Sequence, residues 1–159
     1  MGRLRSRRPR SLLEKVSGPK AVPIDKLVER GEAAAQEVRA TFGEFLKLRV
    51  SELEGMLKPL TAPDAPNALW TQFYTVVHDI RGSGALARNL AVIEFCISLE
   101  RLLSERDPAD ARMHMALLSH INALNLVISR GTPDKASQAL LAAELSRAVD
   151  SLPLRRNSD

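Results

Sequence analysis

The sequence predicts an all-α protein: an up-down four-helix bundle over about residues 67–152, preceded by an additional long helix. Three observations predict it. The 159 residues are 45% apolar but only 4% aromatic, and the apolar set is dominated by Leu, Ala and Val. Leu and Ala favour helix, whereas the β-branched and aromatic residues that fill sheets are thin. Apolar residues recur in steps of three and four along five stretches, with no strict alternation anywhere. A chain of this length makes one domain.

Residues 1–22 read as a basic, disordered arm. Five arginines fall in the first ten positions: Arg3, Arg5, Arg7, Arg8 and Arg10. Without them the net charge of +4 drops to about −1, so the basicity belongs to the arm and not to the domain. Residues 23–60 read as the long N-terminal helix. Its stripe runs Ile24, Val28, Gly31, Ala35, Val38, Phe42, Phe45, then shifts phase to Leu46, Val50, Leu53, Leu57, Leu60. At 1.5 Å per residue it would be ~55 Å long. That exceeds an ordinary small bundle, so the helix either breaks near Gly43 or packs one half on a second copy.

Pro59, Pro63 and Pro66 mark a break. The bundle follows. Residues 67–87 carry Leu69, Phe73, Val76, Ile80 and Ala87 along one seam. Residues 89–105 carry Val92, Cys96, Leu99 and Leu103. Asp107-Pro108 has the form of a cap followed by a first-turn proline, opening a fourth helix to about Arg130 through Met113, Leu117, Ile121, Leu124 and Ile128. Gly131 suits a left-handed position, and Thr132-Pro133 is expected to cap a fifth helix with Leu141, Leu145, Val149 and Leu152. The polar tail, residues 153–159, is expected to fray.

Composition narrows the function classes. A single cysteine, Cys96, excludes a disulfide within the chain. No apolar run approaches the ~20 residues of a membrane span, and no apolar segment follows the arginines to make a secretory signal. A cytoplasmic protein is expected. No Gly-rich loop followed by Lys-Ser or Lys-Thr is present to cradle nucleotide phosphates. The chain is therefore not expected to be a kinase or to need a cofactor.

Three histidines are candidates for chemistry: His78, His114 and His120. His78 lies two residues from each of Val76 and Ile80, about 200° round the helix, so it faces away from the core. A neutral imidazole, abundant at pH 7 in solvent, can act as a nucleophile. Gly82 shares its face one turn on, and Gly84 follows. Each mid-helix glycine costs about 1 kcal/mol relative to alanine, which makes sense if something must approach His78 closely. Arg81, at i+3, can hydrogen-bond phosphoryl oxygens. His114 is expected to be solvated, His120 to be a satisfied, partly buried histidine near the seam, and Cys96 to be a core filler. No histidine or carboxylate spacing suits a metal.

The stretch His78-Asp79-Ile80-Arg81-Gly82-Ser83-Gly84, continued by Phe95-Cys96 and Leu99-Glu100, resembles the signature of histidine-containing phosphotransfer domains. The resemblance implies that His78 is the phosphorylated residue. Arg81 would replace the family's usual lysine beside the phosphoryl group, and Gly82 would give the partner access. Partner choice would lie in Tyr74, Thr75, Ala85 and Arg88. The implied partner is a receiver domain of a response regulator or hybrid histidine kinase, which would supply the metal. Two departures stand out. Arg88 occupies a position where the family often has glycine, and Asn89 is expected to take the left-handed turn. Gly84, where alanine or serine is commoner, is expected to loosen the helix end. The competing reading is a helical docking, inhibitory or dimerisation module that is not phosphorylated. Its long first helix would form a homodimer, and its arm would touch nucleic acid, a partner class the phosphotransfer reading does not expect.

Overall fold

The computed structural model describes residues 22–155. The arm before Val22 and the tail after Arg155 lie outside the described residues. Among the described residues five helices follow one another: α1 (Ile24–Leu60), α2 (Asn67–Leu86), α3 (Leu90–Glu105), α4 (Met113–Arg130) and α5 (Lys135–Asp150). The all-α class expected from composition is therefore what the chain adopts. Among the described residues no helix is long and apolar enough to cross a membrane.

The chain divides into two compact units, Met1–Arg39 and Ala40–Asp159. Helix α1 runs through the division and stays helical through Gly43. In the second unit, α3 packs against α2, α4 and α5, and α4 packs against α5. The second phase of the α1 stripe is core: Leu46, Val50, Leu53, Leu57 and Leu60 are buried, with Met56 beside them. Burying such side chains contributes about 1.5–3 kcal/mol each. Helix α5 buries Leu145 and Val149, with Leu141 and Ala142 partly buried against the core. The end of α1 is thus as much part of the bundle as its last helix. Arg49 of α1 pairs with Asp79 of α2, and Asn125 of α4 donates to Glu54 of α1.

The α2–α3 link is a helix-terminating motif of two paired bonds. Asn89 N donates to Gly84 O at 2.8 Å, and Arg88 N donates to Ala85 O at 3.1 Å. This geometry needs a left-handed residue, and Arg88 takes it with φ 55. Asn89, the residue expected there, is extended (φ −92), and its side chain accepts from Val92 N as the cap of α3. One asparagine cannot do both, and capping prevails. A left-handed non-glycine residue carries about 1–2 kcal/mol of backbone strain. Allowing for glycine's greater freedom in the unfolded chain, Arg88→Gly is expected to stabilise the fold by about 0.5–1 kcal/mol. That should appear as a higher urea midpoint at unchanged slope. A midpoint that stays put or falls would show that the arginine side chain offsets its own strain.

Gly84 does not loosen the helix end; it lets α2 and α3 meet. A Cβ there would stand 2.8 Å from Val92 Cγ1 and 3.2 Å from Val92 Cβ, and a β-branched neighbour held against its own helix cannot swing clear.

Two caps differ from expectation. Asp107 does not open α4: its carboxylate accepts from Ala109 N within a turn, and the helix begins at Met113. Its own N–H is drawn to Pro153 O at 3.0 Å. At α5 the cap is Asp134, whose carboxylate accepts from Ala136 N and Ser137 N, and not Thr132. Gly131 has the expected positive φ of 87. The described part of the tail is pinned, not frayed. Arg155 N donates to Glu105 O at 2.7 Å, Arg106 pairs with Leu154 as an isolated bridge, and the Arg106 guanidinium donates to Leu152 O.

Candidate functional site

His78 sits mid-way along α2, opposite the buried seam of Phe73, Val76, Val77, Ile80 and Gly84. Its side chain is 58% exposed. Tyr74, Thr75, Gly82, Ala85 and Arg88 are exposed with it, as the helical period requires. The Thr75 hydroxyl donates back to Thr71 O. A Cβ at Gly82 would meet nothing within 4 Å. Nothing among the described residues therefore explains that glycine's cost to helix stability.

Beneath His78 lies Glu100, supplied by α3, buried to 8% exposure. Its Oε1 stands 3.4 Å from His78 Nδ1, and its Oε2 accepts from Arg81 Nη1 at 2.5 Å. Oε1 has no hydrogen-bond partner among the described residues. A buried carboxylate oxygen left without a donor is unfavourable, and the His78 ring nitrogen that faces it at 3.4 Å is Nδ1. The site is thus a triad across two antiparallel helices, with Glu100 between the imidazole and the guanidinium. Arg81 is half-buried and bound to Glu100, not held free for a ligand. A guanidinium has five N–H donors, so the pairing leaves others to face a second anion.

A third helix steadies the neighbouring position. Arg49 of α1 bridges Asp79, the residue after His78, and Glu52 at 2.6 Å. The Arg49 guanidinium also lies 5.8 Å from the centroid of the Phe45 ring.

Glu100 was not singled out as a site residue by sequence reasoning. The signal was present in the Leu99-Glu100 register of the motif, but helical period alone places Glu100 with the buried residues of α3, beside Leu99 and Leu103.

The other candidates lie apart from this triad. Cys96 is buried. Burial, helped by the Glu100 charge and opposed by Arg81, pushes its thiol up to about 12, so it is no nucleophile at neutral pH. His120 is wholly buried, more deeply than expected, and both ring nitrogens are bonded: Nδ1 to Ala116 O at 2.7 Å and Nε2 to Ser98 Oγ at 2.9 Å. His114 is exposed, with Nδ1 3.1 Å from Thr61 Oγ1. It lines a separate cleft of about 440 Å³ with Thr61, Pro63, Trp70 and Asp110. Among the described residues no cluster of three His, Cys, Asp or Glu side chains could hold a metal ion.

No family model, no curated protein and no solved structure matches this chain.

Proposed function

We propose that the protein is a phosphorelay intermediate, accepting a phosphoryl group on His78 from a receiver domain of a response regulator or hybrid histidine kinase and passing it on. One observation carries this reading. An exposed imidazole stands with Nδ1 3.4 Å from a buried carboxylate oxygen that accepts no hydrogen bond among the described residues. A proton on Nδ1 is thereby favoured, and the lone pair is left on Nε2.

The step balances simply. Nε2 attacks the phosphorus of a receiver's aspartyl phosphate, the new N–P bond forms, and the P–O bond breaks to release the aspartate carboxylate. The Nδ1 proton stays on the ring, and Glu100 compensates the positive charge that the ring acquires. Free N–H donors of Arg81 address the phosphoryl oxygens. Gly82 leaves the partner's backbone room beside the ring. Aligning the reacting groups supplies most of what a phosphoryl transfer needs.

The test uses purified protein with a panel of phosphorylated receiver domains, following acid-labile, base-stable label. Label on wild type that vanishes in His78→Gln is expected, and ATP alone should give none. Equal labelling of His78→Gln would place the acceptor elsewhere. Failure of every receiver to label wild type would leave the docking module as the better account.

A further inference from the structure

The first part of α1, residues 24–39, carries an apolar stripe that no described residue covers. Ile24, Val28 and Val38 are 69%, 52% and 50% exposed, and Leu27 is 42% exposed. The stripe Ile24, Val28, Gly31, Ala35, Val38 alternates steps of four and three, the spacing of a coiled-coil seam. Gly31 and Ala35 leave a dent in its middle, bordered by Val28, Glu32, Gln36 and Arg39. A Cβ at Gly31 would meet nothing within 4 Å, so the glycine weakens the helix with no return among the described residues. Helices of this length draw most of their stability from packing their apolar face.

We infer that this stripe is a dimerisation surface on which a second copy of the chain packs in antiparallel register. The pattern is self-complementary in that direction. Setting Val28 opposite Val38 of the second copy sets Gly31 opposite Ala35, and each layer occurs twice about a two-fold axis. The small residues then meet at the centre, where the two backbones can approach closely. The same register brings Asp25 beside Arg39 of the second copy, again twice. Neither residue has an ion-pair partner among the described residues. A parallel pair fits worse. It would stack Gly31 on Gly31 and Ala35 on Ala35, leaving voids, and would bring neither Asp25 nor Arg39 to an opposite charge. Glu32 would meet its own copy at the axis, the one like-charge contact of the antiparallel arrangement.

Sedimentation of the full chain across a concentration series tests this. Wild type is expected to form a dimer, and Val38→Asp to be monomeric with unchanged helix content in the rest of the chain. Asp25→Arg and Arg39→Asp should each weaken the dimer by about tenfold, because each puts like charges together at two symmetric places. The two combined on one chain should restore it to near the wild-type affinity. A wild type that stays monomeric, or a dimer indifferent to Val38→Asp, would overturn the proposal. A dimer lost in Val38→Asp but not restored by the double charge swap would overturn the antiparallel register.

Discussion

Acidification from pH 7 to pH 4 is expected to lower the unfolding free energy by about 3 kcal/mol through His120 alone. The folded protein holds this ring neutral. Nδ1 donates to Ala116 O, Nε2 accepts from the Ser98 hydroxyl, and burial pushes the imidazole down to about 4 from its ordinary 6.5. In the unfolded chain the ring protonates near 6.5. Between those values the unfolded state binds a proton that the folded state refuses, so stability falls as pH falls. The contribution is complete above pH 6.5 and is lost progressively down to about pH 4, with a slope approaching 1.4 kcal/mol per pH unit. Asp110 and Asp134, held low chiefly by hydrogen bonds from Arg112 and Ser137, lose their contributions only in more acid solution. The two windows therefore separate. Urea titrations at a series of pH values should show the slope in wild type and a flattened profile in His120→Gln. A wild-type midpoint constant from pH 7 to pH 4.5 would contradict the burial of a neutral ring.

The second large effect falls on the proposed phosphoryl transfer. Glu100→Gln keeps the shape of the buried side chain but removes its charge. Nδ1 would lose the anion that favours its proton, and the ring would lose the group that balances its charge after attack. By analogy with partners that orient catalytic and metal-bound histidines, phosphoryl acceptance should slow by about 10- to 100-fold. Single-turnover transfer from one phosphorylated receiver, with the folded fraction followed by circular dichroism, separates this from lost structure. A slow variant that is fully folded supports the positioning role. A fully folded variant with the wild-type rate would show that Glu100 serves only to anchor Arg81.

Much of the architecture was legible in the spacing of apolar residues. The ends of α1, α2 and α3 fall within a residue of where period and breakers placed them, because those signals are local, whereas α5 spans Lys135–Asp150 and neither starts at Pro133 nor reaches Leu152. The discrepancies have a common cause in contacts between distant residues. Asp107-Pro108 has every local mark of a helix start, yet the backbone there is claimed by Pro153, 46 residues on. Gly84 looked like a weakness until Val92 was placed against it. Asn89 is the better left-handed residue by propensity, but α3 needed its side chain. The candidate site divides in the same way. The exposure of His78 and Gly82 follows from angular position on one helix. The role of Glu100 does not, since it depends on two helices meeting at a particular height.

That meeting has a consequence for how the protein comes to be competent during folding. Ala87, Arg88 and Asn89 alone join α2 to α3, so His78, Arg81 and Glu100 lie on one hairpin of local sequence. Docking these two helices closes only a short loop, the entropically least demanding step in assembling the bundle. The second half of α1 and the pinned tail must instead close longer loops. The triad belongs to the part of the chain that topology allows to form earliest.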